Sequence, residues 1–259
     1  MKNHFDFKNQ IAVITGSSSG LGVEMAHVLA NYGANIVLLA RRKELIDKIA
    51  DEIRNEYSVE TLAIPCDVTD VLQIKNAIKT VLNKFSKIDI LINNAGTGIG
   101  KHAEDVTDEE FYNDINVDLF GGFRMAREVA NASMIKQKYG RIINISSMAG
   151  IIGNNIEREL GVPYYAAKGG VVNMTRALAA EWGKYNINVN TICPGYFYTD
   201  MTKDGLDDNE FLETIKKRIP LGRYADVSEL DTTILFLASK ASSYVTGICL
   251  PVDGGYTCM

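Results

Sequence analysis

Ile11-Ala12-Val13-Ile14-Thr15-Gly16-Ser17-Ser18-Ser19-Gly20-Leu21-Gly22 is the stretch that decides the fold. Four consecutive apolar residues read as a strand buried on both faces. The run from Gly20 to Tyr32 reads as a helix, with Ala26, Leu29 and Ala30 on one face. Between them lies a turn with Gly16, Gly20 and Gly22 and the hydroxyls of Ser18 and Ser19. Glycine lets a backbone adopt positive φ and approach a ligand closely. Free amides at a helix N-terminus attract phosphate charge. A strand, such a turn and a helix in succession suit the pyrophosphate of a dinucleotide. The spacing is GxxxGxG rather than the commoner GxGxxG, and no Lys-Ser/Thr pair follows to make a nucleoside-triphosphate loop.

The same alternation continues outward. Strands are expected at 36–39, 61–64, 88–92, 141–145, 187–192 and 248–252, with helices at 45–57, 71–85, 108–115, 119–137, 162–182, 210–218 and 227–238. Apolar strands each followed by a helix imply a parallel sheet covered on both sides. Right-handed crossovers then give an α/β, three-layer, doubly wound Rossmann fold with seven parallel strands. The 259 residues contain no Pro/Ser-rich linker and no repeat, so one domain spanning 1–259 is expected.

Composition narrows the function. A net charge of -5 without a basic stripe argues against nucleic acid as a partner. Cys66, Cys193, Cys249 and Cys258, and His4, His27 and His102, are dispersed without metal-site spacing, so no metal is expected. The scattered cysteines fit a reducing cytoplasm better than a disulfide framework. The N-terminal residues lack the apolar core of a signal peptide, and no apolar run has membrane-spanning length. A cytoplasmic protein without a membrane partner is the expectation.

The second strand ends in Ala40-Arg41-Arg42. A carboxylate there would accept hydrogen bonds from a ribose 2′-hydroxyl. Its absence, with two guanidinium groups able to pair with a phosphate, favours NADP(H) over NAD(H), with Arg41 the main contact. NAD(H) stays possible, because both arginines could simply begin a solvated helix.

Only one of the twelve tyrosines, Tyr164, has a lysine four residues on, Lys168. That spacing puts both side chains on one helix face. A tyrosine ordinarily titrates near about 10, and a neighbouring ammonium lowers that value. Upstream, Ser146 and Ser147 end the fifth strand, where ligands of such sheets bind. Adjacent strand residues point to opposite faces, so one of the two serines can hold a substrate oxygen while Tyr164 moves its proton.

With these motifs in order, the chain resembles the short-chain dehydrogenase/reductase family, from about Phe7 to Tyr256, and in particular its gluconate 5-dehydrogenase-like and 3-oxoacyl-carrier-protein reductase-like members. The resemblance implies a cofactor turn at Gly16, Ser18, Ser19, Gly20, Leu21 and Gly22. It implies an adenine contact at Asp67 and Val68, and a stretch lining the cofactor at Asn94, Ala95 and Gly96. It implies a nicotinamide-side loop at Pro194, Gly195 and Thr199. Ser147 is preferred to Ser146, and Ser147, Tyr164 and Lys168 are expected to be catalytic. Asn116 is expected to be catalytic too, holding a water for a proton relay through Lys168. Tyr164 and Lys168 also join the expected cofactor contacts, with Arg41 and Arg42.

The implied reaction is hydride transfer between a nicotinamide and a secondary alcohol or ketone. A polar sugar acid or polyol leads. A 3-oxoacyl thioester or a hydroxysteroid is the alternative, and a cofactor-binding redox sensor is the non-enzymatic one. The loop between Ser147 and Tyr164 is longer than the family usually has, with extra material in Asn154 to Gly161 beside the expected substrate position. The segment from Tyr196 to Ile219 is expected to cover the site, and a homotetramer is expected by resemblance.

Overall fold

The computed structural model describes residues 4–153 and 160–258. Seven strands form one sheet: β1 (Ile11–Thr15), β2 (Asn35–Ala40), β3 (Thr61–Pro65), β4 (Ile90–Asn93), β5 (Gly140–Ile145), β6 (Ile187–Pro194) and β7 (Cys249–Val252). Their order is β3-β2-β1-β4-β5-β6-β7, and every neighbouring pair is parallel. The doubly wound α/β class read from the sequence is the observed one. The order reverses between β1 and β4, and that switch point opens a crevice at the carboxyl ends of these strands.

Helices α1 (Leu21–Asn31), α2 (Lys43–Tyr57) and α10 (Asp231–Ala238) cover one face, where Ile14, Leu29, Ile36, Ile46 and Ile234 share an apolar layer. Helix α3 (Val71–Phe85), α5 (Gly122–Val129) and α7 (Val162–Trp182) cover the other with Val13, Ile74, Leu91, Met125 and Leu178. Strand residues alternate between the two layers, as the pleat requires. Local signals set the helix starts. Asp70 accepts hydrogen bonds from Leu72 N at 2.8 Å and Gln73 N at 3.2 Å, capping α3. Pro163 stands in the first turn of α7, where its missing N–H costs nothing.

One expectation is corrected. The sequence reading separates a helix at 108–115 from another at 119–137. The chain instead runs helically without interruption through α4 (Asp108–Asp114), a wide turn Ile115–Gly121, α5, a second wide turn Ala130–Met134 and α6 (Ile135–Gln137). The two wide turns have π geometry, with i→i+5 hydrogen bonds, so the rod absorbs extra residues instead of breaking.

A buried polar ladder fixes α7 against the sheet. Asn93 Nδ2 donates to Asn144 Oδ1 at 2.9 Å, and Asn144 Nδ2 donates to Thr175 Oγ1 at 2.8 Å. Thr191 Oγ1 closes the chain on Thr175. Leaving one such buried group unpaired costs about 1–3 kcal/mol, so the ladder sets one register for α7 and the side chains it carries.

Candidate active site

The crevice holds a cavity of about 440 Å³. Its walls bring together segments far apart in sequence: the glycine-rich turn, Arg41 and Arg42, Asp67 and Val68, Asn94 to Gly96, Ser147, Tyr164, Lys168, and Pro194, Gly195 and Thr199.

The glycine-rich turn is shaped by contacts only glycine permits. Gly16 has φ 64°, and a Cβ on it would lie 2.7 Å from Ala95 Cα. A Cβ on Gly22 would lie 2.5 Å from the Gly16 carbonyl oxygen. Asn94 pins the turn from the end of β4, its Nδ2 donating to Thr15 O at 3.1 Å and Gly16 O at 3.0 Å. The turn thus hands α1's N-terminal amides to the cavity in a fixed orientation. Gly20 has φ 59°, in the left-handed region that favours glycine, and faces the Thr199 side chain of the loop after β6. The missing side chains leave a cradle suited to a pyrophosphate.

At the adenosine end, Arg42 reaches back onto the turn. Its Nη2 donates to Ser18 Oγ at 2.7 Å and Ser19 Oγ at 2.9 Å, and its Nε to Ser18 Oγ at 3.1 Å. Arg41 lines the cavity but makes no such contact. The guanidinium fixed beside the turn is therefore Arg42, whereas the sequence reading gave Arg41 the leading part. Asp67 is held in place by Thr69, whose backbone N and Oγ1 donate to its Oδ1 at 2.8 and 2.7 Å.

At the other end, α7 presents Tyr164 and Lys168, both almost wholly buried. The Lys168 Nζ lies 5.3 Å from the centroid of the Tyr164 ring. The Ser147 hydroxyl hydrogen-bonds the Tyr164 phenol, while the Ser146 hydroxyl donates away from the site to Lys168 O at 2.8 Å. The pleat separates the two serines as expected, and Ser147 is the one that meets the tyrosine. The loop after β6 closes the front, with Phe197, Thr199 and Met201 on the cavity. Two short helices, α8 (Lys203–Leu206) and α9 (Asn209–Lys216), stand on this covering segment.

Asn116 does not join the group. Its Oδ1 accepts from Arg124 Nη1 at 2.8 Å, and it does not line the cavity. The residue that reaches Lys168 from that helix is Asp118. Its Oδ2 lies 3.0 Å from Lys168 Nζ, and its Oδ1 accepts from Thr97 N at 2.7 Å. Even in this widened turn, two residues along the helix carry a side chain roughly half a turn around, so Asn116 and Asp118 face opposite sides. The π turn around them fixes which one faces inward. A carboxylate in Ile115-Asn116-Val117-Asp118 was visible in the sequence, but nothing there aims it at Lys168.

The electrostatics also differ from the expectation that Lys168 makes Tyr164 acidic. Burial pushes the phenol up and outweighs the lowering by Lys168, and Asp118 pushes it further up, so Tyr164 sits above its ordinary value. Burial presses the Lys168 ammonium down, but Asp118 and Tyr164 outweigh that, and its net displacement is upward. Both groups hold their protons at neutral pH.

The proposed insertion at Asn154 to Gly161 lies outside the described residues as far as Glu159. Gly161 is described, and its N donates to Ile99 O at 2.6 Å. Among the described residues no helix is long and apolar enough to cross a membrane.

Comparison with known proteins gives this arrangement a family. A family model described as enoyl-(acyl carrier protein) reductase matches residues 16–257. The NAD-dependent glycerol dehydrogenase of Listeria innocua is 36% identical, over 98% of this chain and 96% of its own. A 3-oxoacyl-acyl-carrier-protein reductase of Rickettsia conorii is 35% identical, over 96% and 98%. The crystal structure of a gluconate 5-dehydrogenase from Burkholderia cenocepacia, in complex with NADP and tartrate, superposes with a TM-score of 0.93 at 35% identity, covering 99% of this chain and 98% of that one. The chain belongs to the short-chain dehydrogenase/reductase family, and it is an oxidoreductase of the dehydrogenase/reductase type that family comprises.

Proposed function

We propose that this chain interconverts a secondary alcohol and a ketone with NADP(H), on a polyol or sugar acid. The observation that carries the proposal is the meeting of Ser147, Tyr164 and Lys168 in the same cleft as the glycine-rich turn. When bound, the nicotinamide supplies or takes up hydride at the substrate carbon.

The protein's part is proton management and placement. Tyr164 donates its phenolic proton to the carbonyl oxygen, and the Ser147 hydroxyl donates a second hydrogen bond to that oxygen. Lys168 keeps a positive charge beside the phenol. Asn116 has no part in this scheme. The turn from Gly16 to Gly22 would hold the pyrophosphate through backbone amides, with Ser18, Ser19 and Leu21 along it. Asp67 and Val68 would border the adenine, Asn94 to Gly96 the central part, and Pro194, Gly195 and Thr199 the nicotinamide side.

Arg42, seated on Ser18 and Ser19, supports NADP(H), because a 2′-phosphate there meets a guanidinium and no carboxylate stands at the end of β2. The crystallised gluconate 5-dehydrogenase relative is described with NADP, whereas the Listeria relative is named as NAD-dependent. Those two names also support a polyhydroxylated substrate. The test is a panel of polyols, aldonates, steroids and 3-oxo thioesters assayed with both cofactors. The expected result is the highest kcat/KM for a polyol or aldonate with the phosphorylated cofactor. A clear maximum on a thioester or a steroid overturns the substrate class.

We further propose a homotetramer of two-fold symmetry. Phe120 and Tyr112 are exposed on the long helical rod, an apolar surface that a second subunit would cover. Light scattering is expected to give about four chain masses, and a monomer mass contradicts it.

A further inference from the structure

The ammonium of Lys168 is not free to serve Tyr164 alone. Beside the Tyr164 ring it meets Asp118 Oδ2 at 3.0 Å and Ile145 O at 3.2 Å. The side chains of Asp118 and Lys168 are 0% and 5% exposed, so the pair is buried at the cleft wall and screened little by salt. The carboxylate is itself fixed, because Thr97 N donates to its other oxygen at 2.7 Å. The gap it occupies is tight: a Cβ on Gly96 would lie 3.2 Å from Lys168 Nζ and 3.3 Å from both Asp118 oxygens.

We propose that Asp118 is the built-in counterion of Lys168 and, through it, the positioning residue that holds Tyr164 in its proton-donating form. The inference rests on the reading of Tyr164 as the acid of this site. A cation whose charge is matched by a carboxylate at hydrogen-bond distance stabilises a neighbouring phenolate less than a bare cation does. Losing the proton from Tyr164 would leave two negative charges around one largely buried ammonium. The arrangement therefore favours carbonyl reduction, which consumes the phenolic proton, over alcohol oxidation, which needs the phenolate.

The other groups around the pair do not cancel this effect. From α7 come Tyr164 and Lys168 themselves. From the long rod comes Asp114, a second buried carboxyl whose Oδ2 accepts from Ile99 N at 3.2 Å and which burial pushes up. From β6 comes the thiol of Cys193, pushed far up by its hydrogen bond with Cys249 and by burial, hence neutral. From the end of β5 come the uncharged Ser146 and Ser147. Lys168 is the one cation among them.

Asp118→Asn separates the counterion role from a purely structural one. The amide keeps an oxygen for Thr97 N and nearly the same shape, and replaces the charged oxygen facing Lys168 by an uncharged NH2. Alkaline ultraviolet titration reads the phenol directly, without turnover or cofactor. Subtracting the Tyr164→Phe curve from the wild-type curve, and the doubly substituted curve from the Asp118→Asn curve, isolates Tyr164 from the other eleven tyrosines. The expected result is a fall of the Tyr164 midpoint by about one unit or more in Asp118→Asn, since removing one nearby charge shifts a buried group by about 1–3 units. The alkaline limb of kcat/KM for reduction should move down with it, and Asp118→Glu should move it back.

A midpoint unchanged in folded Asp118→Asn overturns the inference. Should that variant not fold, Asp118→Ser takes its place with the same expected fall, and a wild-type Tyr164 midpoint well below the ordinary tyrosine value of 10.0 also overturns the inference. The two readings fail separately. Full activity of Tyr164→Phe refutes the acid, whatever Asp118 does to the phenol. An unmoved midpoint refutes the counterion alone.

Discussion

Replacing Tyr164 by phenylalanine is expected to lower kcat for carbonyl reduction about 10³-fold, the middle of the range that a positioned general acid contributes, while NADPH binding persists. The substitution removes one hydroxyl and leaves the ring on its packing. The glycine-rich turn and Arg42, at the opposite end of the cavity, are untouched. Steady-state kinetics with fluorescence titration of NADPH separates the two effects. Full activity in the variant would contradict the assignment of the proton donor. The pH dependence follows from the same group. Burial and Asp118 hold the phenol above its ordinary value, so the protonated form persists through neutral pH. Reduction is expected to be flat there and to fall only as pH rises through the phenol's alkaline titration. Oxidation needs the deprotonated form and is expected to rise over the same interval.

The second large effect is expected at Arg42. Arg42→Ala should lower kcat/KM for NADPH about 10–100-fold, the usual consequence of losing hydrogen bonds from a charged donor, and should leave kcat/KM for NADH nearly unchanged. Arg42 is exposed and its side chain hydrogen-bonds Ser18 and Ser19, so little folding stability is expected to be lost with it. Arg41→Ala, which removes a guanidinium lacking those contacts, is expected to cost less. Equal losses for the two cofactors would mean that Arg42 supports the turn and does not select the cofactor.

The sequence carried the fold because its strands are apolar on both faces, a pattern that only a sheet covered on two sides satisfies. β1 and α1 follow from Ile11 to Gly22 almost residue by residue, and α3 and α7 have their read boundaries. The long rod was harder. A π turn adds a residue without any compositional mark, so 115–121 looked like an interruption where the helix only widens. The same turn hid Asp118. Its neighbour Asn116 matched a family pattern, yet which of the two faces Lys168 depends on the local helical pitch and not on residue type.

The clustering of Ser147, Tyr164 and Lys168 was legible because a strand end and a four-residue helical spacing constrain it. The sign of the Tyr164 displacement was not, because it turns on burial and on a carboxylate that sequence spacing does not bring near. Cys193 and Cys249 tell the same story. They are 56 residues apart and were read as scattered, yet adjacent parallel strands bring their sulfurs to 3.1 Å.

The central claim is that this cleft passes hydride between a nicotinamide and a carbonyl carbon while Tyr164 supplies the proton. The most direct measurement uses reduced cofactor carrying deuterium at the nicotinamide C4 and the best ketone of the panel, with mass spectrometry of the alcohol formed. The account predicts one deuterium on the carbinol carbon and none on the hydroxyl after exchange with water, with product formation collapsing in Tyr164→Phe. An alcohol without carbon-bound deuterium, or one formed equally well by the variant, would contradict it.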